Sequence, residues 1–368
     1  MKILLDNIIY SKTRNGGISN YWFELSNYLL KLNTEDIFFY EEKGASINFH
    51  RSQLALPKDK IRYTNNKIDF SLLDRFLSVK LKKQEFNDFF LYHSSFYRPI
   101  QGVENFKEIT TVHDFTHDYF FPKHKQILHN HLKYSAINRS NGIICISENT
   151  YKDLKKFCPP TKGQKVQIIY NGVSDDYFKI NEDFIVTDKY LVHSNIMTPY
   201  LLYIGSRVKY KNFSFVAKLM NELPYMNLVI VGNNLSKSEI NLFNKESLKR
   251  IIIKNNVDNS ELNKLYNFAH ALIYPSSYEG FGIPVIEAMK AGCPVLSLKN
   301  SSIVEISGNA AILFEELNIL KFKTAIKELN KESFRKEFIE KGLLNSKKYN
   351  WDKCCKETYE FYKEVHNS

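Results

Sequence analysis

The stretch PSSYEGFGIPVIEAMKAGCPVLS, residues 275–297, reads as a turn and a helix between two strands. The apolar residues 271–274 end the preceding strand, and residues 279–282 form a glycine-rich turn. Pro284 suits the first position of a helix, which stops at Gly292 before the next strand. A strand, a crossover helix and a further strand form the unit from which parallel sheets are built, so this stretch predicts an α/β fold.

Short strand-like runs alternate with helical-period segments on both sides of this stretch, as in parallel sheets with crossover helices. Residues 179–198 show neither period and indicate an interdomain passage. We therefore predict two doubly wound, Rossmann-like domains, an N-terminal one at 1–178 and a C-terminal one at 199–349. The predicted strands are KILLDNII, IFFYEE, FFLYHSS, EITTVHD, GIICIS and VQIIYNGV in the first domain, and YLLYIGS, NLVIVG, RIIIKN, ALIYPSS, CPVLSLK and AAILF in the second.

Length and composition limit the class of protein. The chain has 368 residues, 43% hydrophobic and 25% charged, which suits two globular domains of about 100–200 residues each. Its apolar runs are strand-sized, far below the roughly 20 residues that span a bilayer. The opening MKILLDNIIY is broken at Asp6 and lacks a signal-peptide cleavage pattern, so we expect a cytoplasmic protein. Five scattered cysteines without C-x-x-C spacing predict neither a disulfide framework nor a zinc site.

The formal net charge of +11 is shared by both halves of the chain and predicts attraction to an anionic partner. No basic stripe with regularly spaced aromatic residues is present, so nucleic-acid binding is not expected. Residues 70–84, FSLLDRFLSVKLKKQ, have the pattern of an amphipathic helix. Packing on the first domain is the favoured interpretation, and peripheral contact with an anionic membrane is the alternative.

Two carboxylates flank the start of the helix in the opening stretch. Glu279 lies in the turn and Glu287 about one helical turn beyond the helix start. Each can accept hydrogen bonds from hydroxyls, while the amides of the helix N-terminus face an anion. The pattern suits a phosphate flanked by polyols, and two solvated glutamates beside an ordinary helix are the alternative.

Two cations follow the first strand of the second domain. LLYIGSRVKYKN, residues 201–212, places Arg207 and Lys211 four positions apart, so that both would converge on one face if a helix begins there. Such a pair would stabilise a diphosphate leaving group without a metal ion; solvated surface charges are the alternative. The chain contains neither G-x-G-x-x-G nor a P-loop, so neither a dinucleotide fingerprint nor a P-loop NTPase is indicated.

Taken together, these motifs resemble the retaining glycosyltransferases of family 4, whose GT-B architecture has two Rossmann-like domains facing across a cleft. The resemblance covers nearly the whole chain and implies that the final helix, 350–368, returns to the first domain. It is carried by Gly16-Gly17-Ile18, Thr111-Val112-His113-Asp114, Ile146-Ser147-Glu148, Tyr170-Asn171-Gly172-Val173, the segment from Gly205 to Asn212, and the segment from Glu279 to Glu287.

The resemblance also implies a role for each candidate residue. Glu279 would contact the hydroxyls of the donor sugar and Glu287 the ribose of the nucleotide. Arg207 and Lys211 would hold the diphosphate, and His113 would reach the sugar near the reacting centre. The other implied donor-binding residues are Gly17, Gly205, Val257, Phe281, Gly282 and Ile283.

Two places depart from the family pattern. Asn255-Asn256-Val257 stands where a glycine often precedes the valine, which leaves the identity of the base open. Phe314-Glu315-Glu316 replaces a frequent Asp-Pro. TVHDFTHDYF and ICISENT resemble mannosyltransferases that build bacterial surface polysaccharides, so a GDP-linked hexose is favoured over a UDP-linked one.

The expected function is therefore transfer of a hexose, with retention, from a nucleotide-diphosphate sugar to a saccharide or lipid-linked saccharide acceptor, as in O-antigen synthesis. No cofactor and no metal are expected beyond the donor substrate. A nucleotide-sugar 2-epimerase on the same fold is the main alternative. A metal-dependent hydrolase using HDFTHD, residues 113–118, and a glycosidase using Glu279 and Glu287 are less favoured.

Overall fold

The computed structural model divides the chain into two compact units, each built on a parallel sheet. The first unit holds residues 1–172 and 351–368, and the second holds 173–350. Residues 173–178, which the sequence assigned to the N-terminal domain, belong to the second unit, where Phe178 donates its backbone N–H to Asn263. The structure describes residues 1–33, 36–42, 44–63, 78–181 and 199–368.

The first unit contains a seven-stranded parallel sheet and a separate two-stranded one. Its strands are β1 (Lys2–Asp6), β2 (Asp36–Glu41), β3 (Ile61–Tyr63), β4 (Val79–Lys80), β5 (Phe90–Ser94), β6 (Ile100–Gln101), β7 (Phe106–Val112), β8 (Gly142–Cys145) and β9 (Lys165–Ile168). The large sheet has the order β3-β2-β1-β5-β7-β8-β9, and β4 pairs with β6. In the central strand β1, Leu4 lies opposite Phe38 in β2 and Tyr92 in β5.

Helices follow most of these strands, as the alternating pattern predicts. They are α1 (Ile8–Lys12), α2 (Gly17–Leu32), α3 (Phe49–Ser52), α4 (Thr116–Phe120), α5 (Lys123–Arg139) and α6 (Glu148–Phe157). All six predicted strands of this unit are present. The predicted first strand is too long, because Ile8 and Ile9 begin α1 instead of extending β1.

The amphipathic helix predicted for residues 70–84 is wrong in the part that can be compared. Val79 and Lys80 form β4, in parallel register with Ile100 and Gln101 of β6, so no helix runs through them. Residues 70–77 lie outside the described residues, as do residues 182–198 of the predicted interdomain passage.

The second unit contains a six-stranded parallel sheet in the doubly wound order β12-β11-β10-β13-β14-β15. All six strands were predicted. From β10 the chain adds β11 and β12 on one side of the sheet, and it later returns to add β13 on the other side of β10. The order in which strands are added therefore reverses between β10 and β13, although all the strands run parallel. These strands are β10 (Tyr200–Ile204), β11 (Asn227–Val231), β12 (Ile251–Lys254), β13 (Ala271–Tyr274), β14 (Val295–Leu298) and β15 (Ile312–Phe314).

The helices of the second unit cover both faces of this sheet. They are α7 (Phe213–Asn221), α8 (Lys237–Ile240), α9 (Lys245–Leu248), α10 (Asn259–Phe268), α11 (Ile283–Lys290), α12 (Ser301–Ser307), α13 (Ile319–Glu328) and α14 (Glu332–Ser346). The sequence pattern predicts a single helix in each of the segments 236–246 and 319–345, and in the structure each segment is divided in two. The side chain of Asn244 caps a new helix at α9, and the predicted helix 319–345 is interrupted between α13 and α14.

The last helix, α15 (Trp351–His366), belongs to the first unit. Its residues Phe361, Tyr362 and Val365 are buried in the core that also holds Trp22 of α2. A Cβ atom at Gly142 in β8 would lie 2.7 Å from the Val365 side chain, so a residue without one allows the helix to approach the sheet. Within the described ranges, no helix has the length and hydropathy needed to cross a bilayer.

Candidate active site

The carboxyl ends of β10 and β13 form the expected ligand-binding edge of the second sheet. In a doubly wound sheet, ligands bind where the strand order reverses, beyond the carboxyl ends of the two strands on either side. The segment 205–212 follows β10, and the segment 275–282 follows β13. These are the segments that carry the predicted cations and Glu279, so the topology brings together residues that are far apart in sequence.

Lys211 and Glu279 form an ion pair at this edge. The Lys211 ammonium donates a hydrogen bond to the Glu279 carboxylate and lies 3.3 Å from the Tyr274 hydroxyl. The two charged side chains are 13% and 11% exposed, respectively. Burial and the nearby Glu279 charge raise the pKa of Tyr274 well above its usual value, so this hydroxyl keeps its proton. The site therefore holds one cation, one anion and one neutral donor in contact.

Asn212 fastens the two loops together. Its side-chain amide donates hydrogen bonds of 2.7 Å to the Pro275 carbonyl and the Ser277 hydroxyl. Its own backbone is left-handed, with φ of 53°, a conformation that asparagine tolerates better than most residues. Because Lys211 directly precedes Asn212, this contact fixes the position of the cation relative to Glu279.

Arg207 has a different partner from Lys211. Its Nε donates to Glu239 at the start of α8 and its Nη2 to the Asn234 carbonyl, both at 2.7 Å. Among the described residues, Nη1 makes no hydrogen bond, and a Cβ atom at Gly232 would lie 3.7 Å from it. The sequence predicts that Arg207 and Lys211 share one face if a helix begins there. Instead, Lys211 lies in a short 3₁₀ helix, Lys209–Lys211, that begins after Arg207, and each cation pairs with its own carboxylate.

The turn before α11 depends on Gly282. Its φ is +100°, and an added Cβ atom would lie 2.7 Å from Ile303 of α12. The preceding Phe281 is buried, and its carbonyl accepts a 2.8 Å hydrogen bond from Ser302. Ile283 is the first helical residue, so Pro284 occupies the second position and not the predicted first. The amides of this helix start are thus held at the same edge as Lys211.

Glu287, one turn into α11, lies among tyrosines. The Tyr266 hydroxyl donates to its Oε2 at 2.8 Å, and the Tyr177 hydroxyl is its second neighbour. Burial raises the pKa of Glu287 to about 7, against the opposing effect of the two hydroxyls. Sequence reasoning found Glu287 but missed both tyrosines, because neither lies in a motif.

Val257 and Gly205 lie in other loops of the same unit. Val257 is half-buried between β12 and α10, just before Asp258, whose side chain caps α10 by accepting the Glu261 N–H at 2.8 Å. Gly205 follows β10 with φ of +111° and has open space where a Cβ would stand. Gly205 therefore leaves room for a ligand to approach the backbone.

Gly17 and His113 belong to the first unit. Gly17 is the first residue of α2, and His113 directly follows β7. The His113 ring meets Tyr21 edge to face, with ring centres 5.3 Å apart. Burial lowers the pKa of His113 to about 4, although Asp114 opposes the shift, so the imidazole is neutral at physiological pH. A neutral imidazole can donate a hydrogen bond to a sugar hydroxyl or accept one from it.

The remaining polar residues of HDFTHD serve the local structure. Asp118 accepts 2.6 Å hydrogen bonds from Lys133 and Asn130 of α5, and the His117 ring stacks on His129 with centres 3.8 Å apart. Asp114 accepts the backbone N–H of residue 116 at 2.8 Å. Throughout the described part of the chain, no three His, Cys, Asp or Glu side chains are grouped so as to hold a metal ion. This geometry gives the metal-dependent hydrolase no support.

Two family models match most of the chain. Residues 15–177 match the model described as Glycosyltransferase Family 4, and residues 192–344 match Glycosyl transferases group 1. Each match covers most of one sheet-bearing unit. The chain belongs to the family 4 glycosyltransferases and is a glycosyl-transferring enzyme, which confirms the resemblance seen in the motifs.

Curated relatives and a solved structure agree with this assignment. The chain is 25% identical to O-antigen chain mannosyltransferase B of Escherichia coli over 76% of this chain and 75% of that protein. It is 27% identical to the O-antigen chain mannosyltransferase RfbU of Salmonella typhimurium over 60% of each chain. Anabaena HepE, solved in complex with UDP-glucose, superposes with a TM-score of 0.70 at 13% identity, over 99% of this chain and 100% of that one. The last likeness confirms the GT-B fold.

Proposed function

We propose that this glycosyltransferase moves a hexose, with retention of anomeric configuration, from a nucleotide-diphosphate sugar to a saccharide or lipid-linked saccharide acceptor. A mannose-like sugar on GDP is the preferred donor. The relatives named as O-antigen mannosyltransferases support the sugar, and the UDP-glucose bound to HepE supports a nucleotide-sugar donor in general. The expected setting is synthesis of a surface polysaccharide such as O-antigen.

The observation that carries the proposal is the Lys211–Glu279 pair at the switch point of the second sheet. A diphosphate needs cations and amides, and a sugar needs a hydrogen-bond acceptor beside them. Lys211 and Glu279 supply the cation and the acceptor as one ion pair, and the amides at the start of α11 follow Glu279 in the chain. Arg207 adds a guanidinium whose Nη1 makes no hydrogen bond within the described residues.

The proposed reaction breaks the bond between the anomeric carbon and the diphosphate oxygen, whose electron pair leaves with the diphosphate. The acceptor oxygen forms a new bond to the same face of that carbon, and its proton passes to the departing phosphate oxygen. Lys211, Arg207 and the amides at the start of α11 would stabilise the negative charge that develops on the leaving group. No covalent nucleophile on the enzyme is required.

In this proposal the acceptor binds to the first unit, and two residues of that unit also act on the donor. Neutral His113 would hydrogen-bond the sugar near the reacting carbon, and Gly17 would let the backbone approach the diphosphate.

Lys80, Lys82 and Lys83 are exposed, and they supply the charge for peripheral contact with anionic membrane lipid. Liposome flotation of wild type and a variant with these three lysines changed to glutamate tests that contact; equal binding would contradict it.

Product analysis with radiolabelled nucleotide sugars tests the proposed activity. The expected result is a labelled acceptor product together with an equal amount of free nucleoside diphosphate. A nucleotide-linked epimer that forms without acceptor would overturn the transferase proposal in favour of the epimerase.

A thermal-shift panel of GDP, UDP and ADP with their sugars selects the donor, because a ligand that binds only the folded state raises Tm. Stabilisation by UDP sugars alone would contradict the GDP preference.

A further inference from the structure

A short segment of the second unit lies along helix α10. This segment, residues 173–181, is called the strap below. Three asparagines of α10, at positions 259, 263 and 267, are spaced four residues apart and therefore share one face of the helix. All three side chains bond to the strap.

The asparagine contacts fix the backbone of the strap. The backbone N–H of Phe178 donates to Asn263 Oδ1 at 3.0 Å, and that of Ile180 donates to Asn267 Oδ1 at 2.8 Å. In return, Asn267 Nδ2 donates to the Phe178 carbonyl at 2.9 Å. These bonds leave little freedom for Tyr177, the residue directly before Phe178.

Tyr177 is consequently held beside Glu287. Its side chain is 3% exposed, and its ring meets that of Tyr266 edge to face with centres 5.9 Å apart. Its hydroxyl donates to Asn259 Oδ1 at 3.2 Å, and the Glu287 carboxylate is a second acceptor beside it. Tyr266 donates to Oε2 of the same carboxylate at 2.8 Å. Two hydroxyls therefore lie beside the Glu287 carboxylate.

We propose that Tyr177 is a positioning residue for the nucleoside end of the donor site, where its hydroxyl orients Glu287 to accept hydrogen bonds from the vicinal hydroxyls of a ribose. This inference rests on the proposed function, because it needs a nucleotide donor at Glu287. The asparagine face of α10 maintains the arrangement by holding the strap.

Charge strengthens the same conclusion. An ionised carboxylate accepts two hydroxyl donors better than a neutral acid does, and burial works against ionisation of Glu287. Tyr177 from the strap and Tyr266 from α10 are the titratable groups that act on Glu287 among the described residues, and both lower its pKa. Loss of the Tyr177 hydroxyl would therefore move the ionisation of Glu287 to higher pH.

The test is calorimetric binding of GDP, UDP and ADP to the full chain across about pH 6–8.5, comparing wild type with Y177F. This variant keeps the buried ring and removes only the hydroxyl. We expect the best nucleotide to bind about fivefold more weakly, because Glu287 loses one of the two hydroxyls that orient it, with the midpoint of the pH profile shifted upward. The matched control is Y225F, at an exposed tyrosine of the same unit, which should leave both quantities unchanged.

A second variant acts through the strap alone. N267A removes contacts to the backbone of Phe178 and Ile180 without touching Glu287, and S260A, at an exposed position of α10, is its control. N267A should weaken binding and shift the pH midpoint in the same direction as Y177F.

The outcomes separate the inference from the function on which it rests. Normal affinity and an unchanged pH midpoint in Y177F, with wild type binding a nucleotide, would overturn the role of Tyr177 and leave the donor site standing. Failure of all three nucleotides to bind wild type would overturn the donor assignment and the role of Tyr177 with it.

Discussion

Replacement of Lys211 by methionine separates its contribution to folding from its contribution to catalysis. K211M keeps the length of the side chain and removes the charge. In the structure that charge is paired with Glu279, and the two side chains are only 13% and 11% exposed. Solvent therefore screens the pair weakly, and the variant leaves a nearly buried carboxylate without its cation.

The expected loss of stability follows from this burial. Breaking a buried ion pair by removing one partner costs about 3–5 kcal/mol, and the slight exposure here places the estimate near the lower limit, about 3 kcal/mol. For a unit of this size, a change of that amount lowers Tm by roughly 6–12 °C. Loss of a cation that stabilises the leaving group should separately lower turnover by about 10²–10³-fold.

The double variant K211M/E279Q distinguishes the two effects. A neutral pair of similar shape replaces the ion pair, so stability should return most of the way to the wild-type value. Activity should not return, because neither methionine nor glutamine supplies a cation. Tm is followed by calorimetry, and kcat and KM are measured with the donor selected by thermal shift.

Two results would refute this reasoning. Near-wild-type turnover in K211M would show that Lys211 does not stabilise the leaving group. Recovery of turnover in the double variant would show that Lys211 only neutralises Glu279.

Three further predictions concern individual residues of the site. R207K should lower the rate at least tenfold in single-turnover assays, because a lysine ammonium cannot contact two partners at once as the guanidinium does. K209A, at an exposed cation nearby, is the control and should leave the rate unchanged. Equal rates in R207K and wild type would contradict the role of Arg207. G282A should lower the free energy of unfolding of the second unit in urea by about 1–3 kcal/mol. The loss should be larger than in G163A, because Gly163 shares a positive φ but has open space where a Cβ would stand. Equal losses of stability in the two variants would show that backbone strain alone matters. The folded state holds a proton on Glu287 up to about pH 7, so the stabilising effect of this proton is present at low pH and is lost as the pH rises through that value. Between about pH 5 and about pH 8, the free energy of unfolding in urea should therefore fall more for wild type than for E287Q. An equal fall in the two proteins would refute the raised pKa of Glu287.

The alternating pattern predicted the two sheets well because parallel strands buried on both faces are continuous apolar runs. All twelve predicted strands are present, while the short strands β3, β4 and β6 were missed because two or three residues carry no detectable period. Residues 70–84 show the limit of this method. Their apolar residues fit a helical face, but pairing with β6 makes Val79 and Lys80 a strand, and such a tertiary contact cannot be read from local sequence.

The candidate site could be predicted where one stretch of chain carries it. Glu279, Gly282 and Glu287 lie in a single motif, and the structure places all three around the start of α11. The partners that orient them come from elsewhere: Ser302 from α12, and Tyr177 from the strap. Such contacts depend on the fold of the whole unit.

Arg207 illustrates the same limit. Its spacing from Lys211 suggested a common helix face, but the 3₁₀ helix that holds Lys211 begins after Arg207, and Arg207 pairs separately with the carboxylate of Glu239. Gly232, which leaves room for Nη1 of Arg207, is the last residue of the predicted strand NLVIVG. A glycine at the carboxyl end of a predicted strand was the sequence feature that could have identified this position beside Arg207.

The central claim is transfer of a hexose with retention from a nucleotide-diphosphate sugar, and the anomeric configuration of the product tests it most directly. The purified enzyme is incubated with an α-linked donor and acceptor, and the anomeric proton of the new glycoside is followed by NMR from the first turnovers. We predict an α-glycoside and free nucleoside diphosphate in equal amounts, with the formation of both strongly reduced in K211M. A β-glycoside, or release of the nucleotide without a glycoside product in the presence of acceptor, would contradict it.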